Sequence, residues 1–166
     1  MPQPTPPTSA ENPTFTIETS AGTITGQLFP KQAPVTVQNF ARYAKEGFYS
    51  GLIFHRVIRG FVIQGGGLDP SGRQKRGHPP IKLEISPELA HWDGALSMAR
   101  TSDPNSATSQ FYVCHGPQPG LDKNYAVFGI VTGGKDVVNK IATTPTDRSE
   151  RPREDVVIKS VTVNGI

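Results

Sequence analysis

One cysteine, Cys114, is the chain's whole supply of thiol, which excludes an internal disulfide and any paired-cysteine metal site. It follows Val113 at the end of an apolar run and reads as a buried structural thiol. Long hydrophobic runs are missing as well. No window approaches the ~20 apolar residues of a membrane helix, and the N-terminus has neither the basic start nor the apolar stretch of a secretory signal. The expectation is a cytoplasmic protein with no membrane partner. Charge of one sign is not in excess: the net charge is +3, and lysines and arginines gather only at 73–76 and 148–153, which read as solvated loops and not as a nucleic-acid face. Absent too are the Gly-x-x-x-x-Gly-Lys phosphate loop, the Gly-x-Ser-x-Gly elbow, His-Glu-x-x-His, and a pair of carboxylates placed for acid–base work. His55, His78, His91 and His115 lack ligand spacing, so neither a metal nor a cofactor is expected; a metal-dependent barrel enzyme using them with Glu84 stands as a third option.

What the chain has in quantity is glycine (17) and proline (16), the residues of tight connections, within a length of 166 residues that suits one domain. Residues 1–13 carry five prolines with threonine and serine and are expected to form a flexible, extended tail; residues 14–166 form the domain. Phe15 and Ile17, a Ser20-Ala21-Gly22 turn, then Ile24 and Leu28 predict a hairpin. Pro34 followed by Val37, Phe40, Ala41 and Ala44, with Gly47 as a stop, predicts an amphipathic helix. Short apolar runs at 52–58, 61–64, 81–84, 95–99, 110–113 and 126–131 read as strands between decorated loops. A second helix carries Val137, Val138, Ile141 and Ala142, and a last strand spans 156–163. With no βαβ rhythm and no internal repeat, these elements predict a mainly β protein, a closed antiparallel barrel with two helices.

Two stretches place polar groups where apolar ones are the rule. Phe54-His55-Arg56-Val57-Ile58 leads into Gly60-Phe61-Val62-Ile63-Gln64-Gly65-Gly66-Gly67, and Ser97-Met98-Ala99-Arg100 precedes Ser109-Gln110-Phe111-Tyr112-Val113. A cation and two amides among aromatics suggest an apolar pocket with a few fixed hydrogen-bond donors. Taken one at a time, Phe61, Phe111 and Tyr112 read as core and Arg56 as a surface ion-pair partner.

Taken together and in this order, with Leu121-Asp122-Lys123-Asn124-Tyr125-Ala126-Val127-Phe128-Gly129, these motifs closely resemble the cyclophilin-type peptidyl-prolyl cis-trans isomerases, over a span from about Thr14 to the end. The resemblance implies a closed eight-stranded antiparallel barrel capped by two helices, and an enzyme that rotates X-Pro bonds in peptides and folding proteins without a cofactor. Position by position it implies Arg56 as the catalytic arginine with Gln64 as its polar neighbour. Phe61, Val62, Phe111, Tyr112 and Leu121 would be the proline-pocket walls, and His55, Ala99, Arg100, Gln110 and Tyr125 the contacts to the substrate chain. Departures from the family pattern carry expectations of their own. Gly120 stands where many eukaryotic members have a tryptophan that contacts cyclosporin, which implies weak or no binding of that inhibitor. Tyr125 and Arg100 look like the bacterial branch, and Arg59 and Val62 alter the pocket edge. The alternative is a non-catalytic module or chaperone that holds proline peptides in the same groove. A monomer is expected, because no apolar helix face is left over for a partner.

Overall fold

The structure, a computed structural model, describes residues 2–166. Strand β1 (Thr14–Thr19) pairs with β2 (Gly22–Leu28) as the predicted hairpin, with Phe15 opposite Gly26 and Ile17 opposite Ile24. A side chain on Gly26 would begin 2.6 Å from the Phe15 ring, so this glycine is what lets the phenyl group lie flat across the pair. Helix α1 (Pro34–Lys45) opens on a proline whose missing N–H costs nothing in a first turn. Its free amides at Val35 and Thr36 donate to the Glu84 carboxylate, at 3.3 and 2.9 Å, which caps the helix from a distant loop. Val37, Phe40, Tyr43 and Ala44 turn inward, and the Phe40 ring meets those of Phe15, Tyr49, Phe111 and Phe128.

Six further strands follow: β3 (Arg56–Ile58), β4 (Val62–Gly65), β5 (Ala95–Met98), β6 (Phe111–Cys114), β7 (Val127–Gly133) and β8 (Ile158–Asn164), with α2 (Lys135–Ala142) before the last. All join one antiparallel sheet in the order β3-β4-β6-β5-β7-β2-β1-β8. The concave side holds the main core, including Phe15, Phe40, Phe111, Phe128, Ile63 and Leu96. A second, smaller cluster covers the outer face of β4, β6, β5 and β7: Val62, Tyr112, Cys114, Ala95, Val127 and Ile130 with Phe29, Ala90 and Trp92. Because both faces are covered, β5 and β6 are buried at every position, so Ala95–Met98 and Phe111–Cys114 read as continuous runs and not as alternating patterns.

Three expectations need correction. The barrel is not closed: β3 and β8 end the strand order without a ladder between them, leaving an open half-barrel. The Val57 N–H on the β3 edge goes to the Glu150 carbonyl at 2.7 Å, in the loop before β8, and so is not available to β8. The seam is stitched between the residues ahead of β3 and the start of β8, by the isolated Ile53–Val157 bridge and the bonds Phe54 N–H to Val156, Ile158 N–H to Leu52 and Gly51 N–H to Ile158. For the same reason the expected strand 52–58 shrinks to its last three residues. The expected strand 81–84 is not one. Ile81 makes a single bridge to Ala107, Leu83 donates to the Asn105 side chain, and Glu84 is turned toward α1.

The proline-rich segment, expected to be a flexible tail, lies along the outer cluster in the structure. The indole N–H of Trp92 donates to the Pro4 carbonyl at 2.6 Å, the Gln3 side chain donates to the His91 carbonyl at 2.9 Å, and Asn12 bridges the Pro7 carbonyl and Gln27. A fixed strap and a free tail differ measurably, because Trp92 is the chain's single tryptophan and is buried. Removal of residues 2–12 is expected to shift its fluorescence to the red and lower the thermal midpoint by a few degrees, as the loss of ~1 kcal/mol per hydrogen bond implies. An unchanged emission spectrum would mean that the segment does not cover the indole.

Candidate active site

Register builds the site. Arg56 on β3 lies opposite Gln64 on β4, Gln64 opposite Tyr112 on β6, and Tyr112 opposite Ser97 on β5, so four polar-bearing residues form one row across four strands. Side chains alternate along a strand, so the neighbouring row of Val57, Ile63, Val113 and Leu96 faces the core and this row faces out. At its end a cavity of about 120 Å³ is lined by Arg56, Phe61, Val62, Gln64, Ala99, Arg100, Tyr112, Leu121 and Tyr125. A larger cleft of about 610 Å³ between α1 and β8 contains none of these residues and sets no donor beside an aromatic wall.

The donors at the rim are held to different degrees. Gln64 donates to the Gln110 side chain at 3.0 Å, and Gln110 lies over Gly67, where a Cβ would sit 2.4 Å from its Cγ. Arg100 is pinned by bonds to the Asn124 and Thr101 carbonyls, and its guanidinium lies 4.6 Å from the centre of the Tyr125 ring. Arg56 is looser: its Nε is 3.6 Å from Glu150 Oε1, with the two side chains 43% and 46% exposed. A pair so exposed contributes ~1 kcal/mol at most and leaves the guanidinium free to meet another acceptor. Tyr125 stands edge-on to Tyr112, completing the aromatic side.

Nine of the residues singled out from sequence therefore meet at one cavity, and three do not line it. Phe111 is a correction: as the neighbour of Tyr112 on β6 it points the other way, into the main core against Phe40, Tyr49 and Phe54. Gln110 reaches the site through the Gln64 side chain and through its own carbonyl, which accepts the Ala99 N–H at 3.0 Å. His55 sits beside the row with its Nδ1 buried and unpartnered. Burial, then the charges of Arg56 and Arg151, lowers its pKa. Sequence reasoning passed over Glu150, one acid among the arginines of a loop, whose φ of 66° and distance along the chain gave no hint that it faces Arg56. His91, which the sequence marks only as a structural or surface histidine, is buried directly behind Tyr112. Among the described residues no group of three or more His, Cys, Asp and Glu side chains is placed to hold a metal.

An open antiparallel half-barrel with an aromatic cup and an arginine on its rim defines a class, and comparison with known proteins agrees on it. Residues 14–163 match the family described as cyclophilin type peptidyl-prolyl cis-trans isomerase/CLD. Peptidyl-prolyl cis-trans isomerase B of Escherichia coli is 45% identical over 161 residues, covering 90% of this chain and 98% of its own. A peptidyl-prolyl cis-trans isomerase of Acinetobacter baylyi is 44% identical over 90% of this chain and 85% of its own. A Cryptosporidium parvum cyclophilin-type isomerase, crystallised in the presence of the dipeptide Ala-Pro, superposes with a TM-score of 0.84 at 34% identity, over 91% of this chain and 98% of its own. The chain belongs to the cyclophilin-type peptidyl-prolyl cis-trans isomerase family. It is a peptidyl-prolyl cis-trans isomerase.

Burial near the site has a consequence for pH. The pKa of His91 is lowered by burial, against the pull of the Asp122 carboxylate, and that of His55 is lowered in the same direction. Above the ordinary histidine value of 6.5 both rings are neutral folded or unfolded; below it the unfolded chain takes up protons that the folded chain refuses. Stability is therefore expected to fall as the pH drops below that value. Urea midpoints measured at about pH 7.5 and about pH 5.5 check this, and equal midpoints would contradict it.

Proposed function

We propose that this isomerase rotates exposed X-Pro bonds in peptides and folding proteins, acting as a monomer in the cytoplasm, with the Arg56 guanidinium as the group that stabilises the half-rotated bond. Resonance in the peptide group sets a barrier of ~20 kcal/mol. Midway through rotation the prolyl nitrogen loses conjugation, becomes pyramidal and localises its lone pair. A donor held at that nitrogen binds the twisted state better than the planar one, and no proton needs to be transferred. Phe61, Val62, Tyr112 and Leu121 form the cup for the pyrrolidine ring, with Gln64 beside the arginine. The backbone at Ala99 and the side chains of Arg100, Gln110 and Tyr125 receive the rest of the substrate chain, and His55 lies at its margin.

The observation that carries this reading is the register that sets Arg56 and Gln64 in one row with Tyr112 at the edge of an apolar cavity. The exposed Arg56–Glu150 pair supports it further, since a guanidinium held only by a weak surface contact is free to reach a substrate. The relative crystallised in the presence of Ala-Pro supports a proline dipeptide as the smallest occupant of the cup.

Arg56→Ala is expected to lower kcat/KM on a proline peptide by roughly a hundredfold, two tenfold steps of ~1.4 kcal/mol each. Its melting curve should stay near that of the unchanged protein, because the side chain is half-exposed. Full activity in that variant would remove the arginine from the mechanism. Gly120 has no atom within 4 Å of where a Cβ would stand, so the turn has room for a large side chain there. Weak cyclosporin binding is expected from the unchanged protein. Calorimetric titration of Gly120→Trp should then show tighter binding, roughly tenfold or more, as one buried aromatic contact allows.

A further inference from the structure

Behind the cup, His91 is fully buried and both of its ring nitrogens are engaged. Nδ1 is 2.8 Å from Asp122 Oδ1, the same oxygen that accepts the His91 backbone N–H at 2.6 Å. An ionised carboxylate only accepts, so the ring proton sits on Nδ1 and Nε2 presents a lone pair. Two hydroxyls face that lone pair: Tyr112 at 2.8 Å and Ser97 at 3.2 Å. The closer donor is Tyr112, whose ring lies nearly parallel to the imidazole, at an interplanar angle of 14° with the ring centres 5.9 Å apart. The His91 carbonyl is clamped as well, accepting from the Gln118 amide at 2.8 Å and from Gln3 at 2.9 Å.

We propose that His91 is a positioning residue for the isomerase reaction: it holds the Tyr112 hydroxyl, and through Asp122 the adjoining Leu121, so that two walls of the proline cup are fixed relative to each other. This rests on the reading of Tyr112 and Leu121 as cup walls. A phenylalanine at 112 would fill the same space without being tied. The hydroxyl converts a packed ring into a ring with one permitted tilt, because turning it away would leave Nε2 with only the longer Ser97 contact inside an apolar cluster. Asp122 does for the imidazole what an orienting carboxylate does for any histidine whose second nitrogen must accept, which is to fix the tautomer. Leu121 immediately precedes Asp122 in the chain, so the carboxylate that orients His91 also anchors the turn Pro119–Leu121.

The cup grips the pyrrolidine ring in the planar and the twisted states alike, so loosening it is a loss of uniform binding and appears in KM more than in kcat. The test is a double-mutant cycle on a proline peptide with His91→Asn, Tyr112→Phe and the double variant. Asparagine retains a donor toward Asp122 but has no atom at Nε2. The expected result is a KM raised about fivefold or more by His91→Asn in the presence of Tyr112, and changed less than about twofold in the Tyr112→Phe background. Equal losses in both backgrounds, or losses confined to kcat, would overturn the proposal. A second measurement stands without any turnover: ¹⁵N NMR of the unchanged protein should show His91 protonated at Nδ1, with the Nε2 resonance moving in Tyr112→Phe. An imidazole protonated at Nε2, or one indifferent to Tyr112→Phe, would sink the proposal even if His91→Asn failed to fold. A normal Arg56→Ala variant would count against the arginine mechanism alone and leave this result standing.

Discussion

The constraint on which the molecule depends is the strict alternation of side chains along β4 and β6. Because β6 is covered on both faces, each of its residues is committed to one of two apolar compartments, and a slip of one position would exchange them wholesale. The register Arg56–Gln64–Tyr112–Ser97 is thus enforced by the residues it excludes. Ile63, Phe111 and Val113 fill the concave core, and only one alignment puts all of them there. The chemistry of the outer row is a by-product of packing on the inner one.

Much of this was legible in the sequence, for identifiable reasons. The hairpin and α1 announced themselves through periodicity and their turn residues, and Arg56 and Gln64 were conspicuous as polar groups inside apolar runs. The family motifs then placed nine of the proposed residues around one cavity. The errors have separate causes. Phe111 and Tyr112 are adjacent aromatics on a strand buried on both sides, so hydrophobicity says nothing about which of them faces outward. At the open seam the Glu150 carbonyl takes the Val57 N–H of the β3 edge, and no pattern in residues 52–58 encodes that. Glu84, a candidate metal ligand by sequence, is a helix cap, a role visible only once 48 residues of separation have been folded away.

The site also divides its polar groups by burial. On the rim, Arg56 and Glu150 are half in water, where their mutual attraction is small and easily given up. Behind the wall, His91 and Tyr112 are removed from water, and burial pushes the phenol pKa up while it pushes that of the imidazole down. Both groups stay neutral there, and their hydrogen bond has no competing solvent. A half-exposed charge thus stands in front of a buried, neutral, hydrogen-bonded pair.

The pairing of β1 with β8 bears on how such a chain comes to be. The first strand of the sheet lies against the last, and a Cβ on Gly165 would come within 3.2 Å of Pro13, so the two ends of the domain leave from a single corner. During synthesis β1 must wait for nearly the whole polypeptide before its outer edge is covered, and contacts of such long sequence separation form slowly. The β1–β8 ladder can close only after the segment carrying β8 has been made, which places this pairing late among the sheet's contacts.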